Sequence, residues 1–210
     1  MTAPLDPARE RALQRLIDVG ERLFLLILFA SFVVRLSHTI GVRPYNLLAM
    51  ISEGLVALFI VIRRPAQSLT LKPLDWIVGL AGTTLPMLVR PGGLPLLPEI
   101  VGTVVMCSGL SLAIWAKLTL RRSFGLAAAN RGMVATGPYR LVRHPMYAGY
   151  IVVYVGFFLN NPLGWNLGLY GMSVFLQVAR ILVEETVLTQ DPAYRSYRER
   201  VRYRLLPALF

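Results

Sequence analysis

The chain has 210 residues, 55% of them hydrophobic and 16% charged, with a mean hydropathy of +0.57. A water-soluble domain carries more charge, and no polar linker divides this chain, so the composition indicates a single integral membrane bundle. The net charge is +11, from 22 basic and 11 acidic residues, and only Lys72 and Lys117 are lysines. These charges lie between apolar runs with no aromatic-interleaved basic groove, which favours a rim against anionic lipid and excludes a nucleic-acid partner. The single cysteine, Cys107, can form no internal disulfide and no metal-ligand spacing occurs; it reads as a small buried hydrophobe.

Taken in order, residues 1–20 carry mixed charge and read as a cytoplasmic amphipathic helix rather than a cleaved signal. Spans are expected at 23–40, 45–62, 74–89, 97–118 and 163–183, with a short apolar arm at 146–159. That arm barely reaches across, so five to six crossings are expected. Arg35, near the end of the first span, reaches the interface or pairs inside the bundle. Glu53, near the middle of the second, is expected to face the interior and to find a partner or be protonated. Gly102, Ser108, Gly109, Ser111 and Ala113 allow a neighbouring helix to approach the fourth span closely.

Basic residues cluster in the N-terminal segment and at 63–72, 117–143 and 195–204. The positive-inside rule therefore sets both termini and these loops on the cytoplasmic side of what reads as a bacterial inner membrane. The fold class is all-α, an integral membrane helical bundle. Residues 1–118 form its N-terminal transmembrane helices, and residues 119–210 a C-terminal region with a helical hairpin, a cytoplasmic pocket and a cytoplasmic tail.

Two clusters carry the chemistry. The first is GPYRLVRHPMYAG at 137–149, where Gly137-Pro138 marks a turn and Pro145 drives His144 toward extended geometry. His144 beside Arg143 is expected to be neutral and hydrogen-bonding. Tyr139 and Tyr147 read either as interfacial tyrosines or as cofactor contacts, and Pro138 and Pro145 as shape. The second cluster is Arg180, Glu184 and Glu185. Arg180 and Glu184 share a helix face, as a working pair or as an ordinary surface ion pair. Tyr194 and Tyr197 read as packing or lid residues. Phosphate-binding glycine loops, zincin motifs and serine elbows are all missing from the sequence.

The first motif, the Asn161-Pro162 turn, Arg180-x-x-x-Glu184-Glu185, Tyr194-x-x-Tyr197 and VRYRLLP at 201–207 stand in a fixed order. This ordered set resembles the isoprenylcysteine carboxyl methyltransferase family and its bacterial relatives, over residues 119–210; phospholipid N-methyltransferases carry a related arrangement. The resemblance implies an S-adenosylmethionine-dependent methyltransferase that takes a lipidic or apolar acceptor from the bilayer, a carboxylate by preference, without metal. It implies catalysis by Arg180 and Glu184, and cofactor binding by Gly137, Tyr139, Arg143, His144, Pro145, Tyr147, Gly149 and Glu185. Arg131 stands where the family often has a histidine and is carried over as a contact to the cofactor's carboxylate. Phospholipid amines and small thiols are the alternative acceptors.

Membrane reductases of the sterol-reductase kind, which use NADPH, have a similar C-terminal bundle. Their signature places Asn before the tyrosine that follows Arg-His, whereas this chain has Pro145-Met146-Tyr147. A non-enzymatic membrane protein would rest on Glu53 and Arg35 alone.

Overall fold

The structure is a computed structural model that describes residues 7–62, 80–120 and 135–207. Among the described residues it is all-helical, without strands. The helices are α1 (Pro7–Ser37), α2 (Asn46–Ile62), α3 (Glu99–Leu120), α4 (Pro145–Asn160), α5 (Gly164–Leu188) and α6 (Pro192–Arg200). Short 3-10 turns occupy Leu85–Leu88 and Gly137–Arg140.

Local sequence explains the helix starts. Proline opens both α4 and α6, where its missing N–H costs no helical hydrogen bond. The Asp191 side chain caps α6 by accepting from the Ala193 amide at 2.8 Å. The charged segment expected at 1–20 and the first span form one helix from Pro7 to Ser37. Of the span expected at 74–89, the first six residues lie outside the described residues. Its remainder ends in the 3-10 turn that contains Pro86.

Glu99–Leu120 and Gly164–Thr186 are long and apolar enough to cross a bilayer, and Asn46–Leu58 and Pro145–Asn160 are shorter apolar helices. Ile27, Val104, Leu118, Leu167 and Phe175 are exposed on the outer faces of α1, α3 and α5. Apolar side chains spread over the outside of several helices suit lipid rather than water. Together these features point to a membrane protein.

The core is organised by α3 against α4, the most extensive helix contact among the described residues. Gly102 meets Gly156 and Gly109 meets Gly149, so the helices run antiparallel with their backbones nearly touching. A Cβ at Gly149 would stand 2.7 Å from the Ala113 nitrogen and from the Gly109 oxygen, a distance that only glycine permits. The small residues of α3 thus divide: Gly102, Gly109 and Ala113 are buried against α4, while Ser108 and Ser111 face outward. Cys107 is also exposed, which corrects its reading as a buried hydrophobe; it lies on the outer face of α3.

A polar knot fastens one end of the bundle. Asn46, Asn160, Asn161 and Asn166 are fully buried there. Asn161 Oδ1 accepts from Arg43 Nη1 at 2.8 Å and from the Gly92 amide at 3.0 Å. Asn161 Nδ2 donates to Asn46 Oδ1 at 3.3 Å. Asn166 brackets Arg90, accepting from its amide at 2.9 Å and donating to its carbonyl at 2.8 Å. Arg35 belongs to the same end and donates to the Met87 carbonyl. Apart from Asn160 Oδ1, which has no partner among the described residues, the network satisfies groups that lipid would leave bare. It pins the α4–α5 turn, so the opposite ends of these two helices, which carry both motifs, are held in a fixed relation.

Candidate active site

The first motif enters through the 3-10 turn Gly137–Arg140. Gly137 has φ +57°, and a Cβ there would lie 2.9 Å from Thr119 Oγ1 at the end of α3. Glycine is therefore required both by backbone and by space. Tyr139 follows, buried, and its carbonyl accepts from the Tyr197 hydroxyl at 2.8 Å. This contact ties α6 to the turn.

Arg143 and His144 are buried, with 6% and 7% of their surface exposed, so the expected exposed rim is an interior junction. Their partner is Glu185, itself buried on α5. Arg143 Nε donates to Glu185 Oε1 at 2.7 Å and Arg143 Nη2 to Oε2 at 3.4 Å. Arg204 Nε donates to Oε2 at 2.9 Å. His144 Nε2 lies 3.2 Å from Oε1. A carboxylate only accepts, so the imidazole proton sits on Nε2. The Tyr194 hydroxyl approaches the same oxygen at 3.5 Å.

Arg143 also reaches the tail: its Nη1 donates to the carbonyls of Val201 at 2.9 Å and Arg202 at 2.7 Å. The amides of Arg143 and His144 donate to the carbonyls of Tyr203 and Arg204 at 2.9 and 2.8 Å. The C-terminal segment is thus a strap laid along the RHP loop and locked by one carboxylate.

Around this lock the tyrosines are held protonated. Burial pushes the Tyr197 hydroxyl up to about 12. Burial likewise raises Tyr139 and Tyr194, reinforced by Tyr197 in the first case and by the Glu185 charge in the second. Tyr197 and Tyr194 serve as hydrogen-bond donors at neutral pH, to the Tyr139 carbonyl and to Glu185.

One residue earlier on α5, Glu184 has different company. Tyr147, from the first motif, is hydrogen-bonded with both Arg180 and Glu184. Arg180 and Glu184 keep part of their surface exposed. The structure therefore joins Tyr147 of the first motif to Arg180 and Glu184 of the second, and Arg143 and His144 to Glu185. Pro145 starts α4, and Gly149 lies in the α3 contact. Arg131 lies outside the described residues.

Sequence reading missed Arg204, which looks like one more charge in a basic tail. It also missed Lys117 as the partner of Glu53, because the two lie on different helices. The signal for Arg204 was indirect: a loop whose amides cannot join a helix needs carbonyls from elsewhere.

No curated protein matches the chain. Residues 97–194, from just before α3 into α6, match the model of the phospholipid methyltransferase family. The matched stretch contains Tyr139, Arg143, His144, Tyr147, Arg180, Glu184 and Glu185, and leaves out Tyr197 and the strap. Residues 97–194, a little under half of the chain, are thus similar to the phospholipid methyltransferase family, one related to the isoprenylcysteine carboxyl methyltransferases, and lie in an apolar helical bundle.

Proposed function

We propose that the chain is an S-adenosylmethionine-dependent membrane methyltransferase acting on a lipidic or apolar acceptor, with a carboxylate acceptor favoured. The observation that carries this reading is the meeting of Tyr147 with Arg180 and Glu184, two motifs far apart in sequence, inside the family-matched stretch. S-Adenosylmethionine supplies a methyl group on a sulfonium, together with an amino-acid end, ribose hydroxyls and an adenine ring. A guanidinium, a half-buried carboxylate, an imidazole and tyrosines answer those groups, so the residues present fit it.

His144, Tyr139 and Tyr147 would hold the donor, beside a backbone shaped by Gly137, Pro145 and Gly149. Arg143 and Glu185 support the pocket from behind through the strap. Arg131 is proposed as a further contact to the donor's carboxylate.

Arg180 grips the acceptor's carboxylate and Glu184 fixes the guanidinium. An ionised carboxylate needs no general base, and bringing opposite charges together is favoured where water is excluded. The match to a phospholipid methyltransferase model supports a second reading, an amine acceptor; there Glu184 would receive the proton released on methylation. The basic loops support a cytoplasmic mouth and cytoplasmic termini, with five or six helices crossing the membrane.

The test is calorimetry of the purified protein with S-adenosylmethionine and NADPH, followed by labelled methyl transfer to a panel of carboxylate, amine and thiol amphiphiles. Binding of the first ligand with transfer to a carboxylate amphiphile is expected. Binding of NADPH alone would overturn the reading.

A further inference from the structure

Below the site, the α4–α5 seam stays polar. On α5, Tyr170, Ser173, Gln177, Arg180 and Glu184 recur at intervals of three and four, one helical face. On α4, Tyr147, Tyr150 and Tyr154 do the same. Tyr154 stacks on Tyr170 with ring centroids 4.5 Å apart. Ser173, although fully buried, is satisfied, donating to the Leu169 carbonyl at 2.8 Å. Gln177 is not. It is 5% exposed; its Nε2 donates to the Tyr154 hydroxyl at 3.2 Å, while its buried Oε1 has no hydrogen-bond partner among the described residues. A leucine or methionine would fill this volume without leaving a carbonyl unanswered.

The charge around this amide is balanced. Glu53 of α2 and Lys117 of α3 are both buried and interact with each other, and the Lys117 ammonium lies 5.2 Å from the Tyr150 ring centroid. Tyr150, Tyr154 and Tyr170 all feel the Glu53 charge, which places this pair beside the amide. With Lys117 paired with Glu53, and Arg180 one turn away engaged by Glu184 and the acceptor's own carboxylate, a phosphodiester next to Gln177 would be a buried anion without a counter-charge of its own. A neutral donor such as an amide N–H or a hydroxyl has a ready partner in Gln177 Oε1.

We infer that Gln177, oriented by Tyr154, forms a subsite for a neutral hydrogen-bond donor on the methyl acceptor, one helical turn deeper than the group held at Arg180. This rests on the proposed function and narrows it. Three residues of helix separate the two positions by about 4.5 Å, so the donor belongs only a few bonds from the methylated group.

The test uses two carboxylate amphiphiles identical except that one carries a secondary amide near the carboxylate and the other its N-methylated form. The wild type is expected to prefer the secondary amide about tenfold in kcat/KM, mostly through KM. Gln177→Leu is expected to lose the preference while its S-adenosylmethionine affinity stays unchanged. Indifference of the wild type, or the same preference in Gln177→Leu, overturns the subsite but leaves the methyltransferase intact. No transfer to either amphiphile, with no S-adenosylmethionine binding, overturns the function on which it rests. Tyr154→Phe keeps the amide but removes what orients it, and a narrowed preference is expected; an unchanged one overturns the proposal even where Gln177→Leu is not recovered folded.

Discussion

Glu184 and Glu185 are neighbours on α5, yet they belong to different parts of the molecule. Successive helical positions are about 100° apart, which turns Glu184 toward Tyr147 and Glu185 toward Arg143, His144 and Arg204. One acid is half-exposed beside Tyr147, at the proposed site. The other is buried and fully bonded, a fastening that holds the RHP loop to the C-terminal strap.

The fastening predicts a graded series. Arg143→Ala leaves Glu185 with a buried charge that has lost its main partner, and should destabilise by about 3–5 kcal/mol. Arg204→Ala removes a part-exposed partner and should cost about 1 kcal/mol or less. Melting in detergent orders the two variants, and limited proteolysis near 201–207 should speed up in both. Equal, small effects would mean that Glu185 does not hold the strap.

Tyr197 gives a pH signature. Its folded pKa, about 12, exceeds the ordinary value of 10, so the fold favours the protonated hydroxyl. That contribution is complete below pH 10 and disappears as the pH rises through 12. Tyr197→Phe loses the bond to the Tyr139 carbonyl, costing about 1 kcal/mol at neutral pH, and should flatten this alkaline loss. Melting temperatures of both proteins across the alkaline range decide it.

Helix packing predicts a contrast between glycines. Gly149→Ala drives a methyl into the α3 backbone and should destabilise by about 1–3 kcal/mol, with loss of activity as the helices separate. Gly168→Ala meets nothing within 4 Å and should be neutral or slightly stabilising. Comparable melting of the two variants would contradict the close α3–α4 approach.

Much of this organisation is legible in the chain because lipid imposes simple rules. Long apolar runs must be helices, small residues mark close contacts, and a buried Glu53 must have a partner or carry a proton. The motif spacing also places Arg180 and Glu184 on one face. Partners from different helices are not legible in this way. Lys117 looks like part of a basic loop until α3 is seen to carry it inward, and Arg143 looks like a rim charge until the strap covers it. Gly149 shows the same limit: a motif glycine whose packing role depends on Gly109 and Ala113 of another helix.

The last prediction concerns the mouth itself. Arg180→Ala and Glu184→Ala should each reduce methyl transfer by at least about a hundredfold, because both groups are proposed to act on the reacting pair. S-Adenosylmethionine affinity should fall less for Arg180→Ala than for His144→Ala, since Arg180 is assigned to the methyl acceptor. Arg180→Lys should also fail, an ammonium being unable to reproduce a two-pronged grip on a carboxylate. Tyr147→Phe keeps the ring but removes the hydroxyl that joins the two motifs, and should lower kcat more than stability. A coupled unit predicts that the double variant Arg180→Ala/Glu184→Ala is no worse than either single one. An ordinary helix-surface ion pair predicts the opposite pattern: each change costs about 0.5 kcal/mol of stability and turnover persists. Steady-state rates with one accepted amphiphile, set beside calorimetric affinities for the donor, separate these outcomes, and near-normal transfer by either single variant would remove the pair from the site.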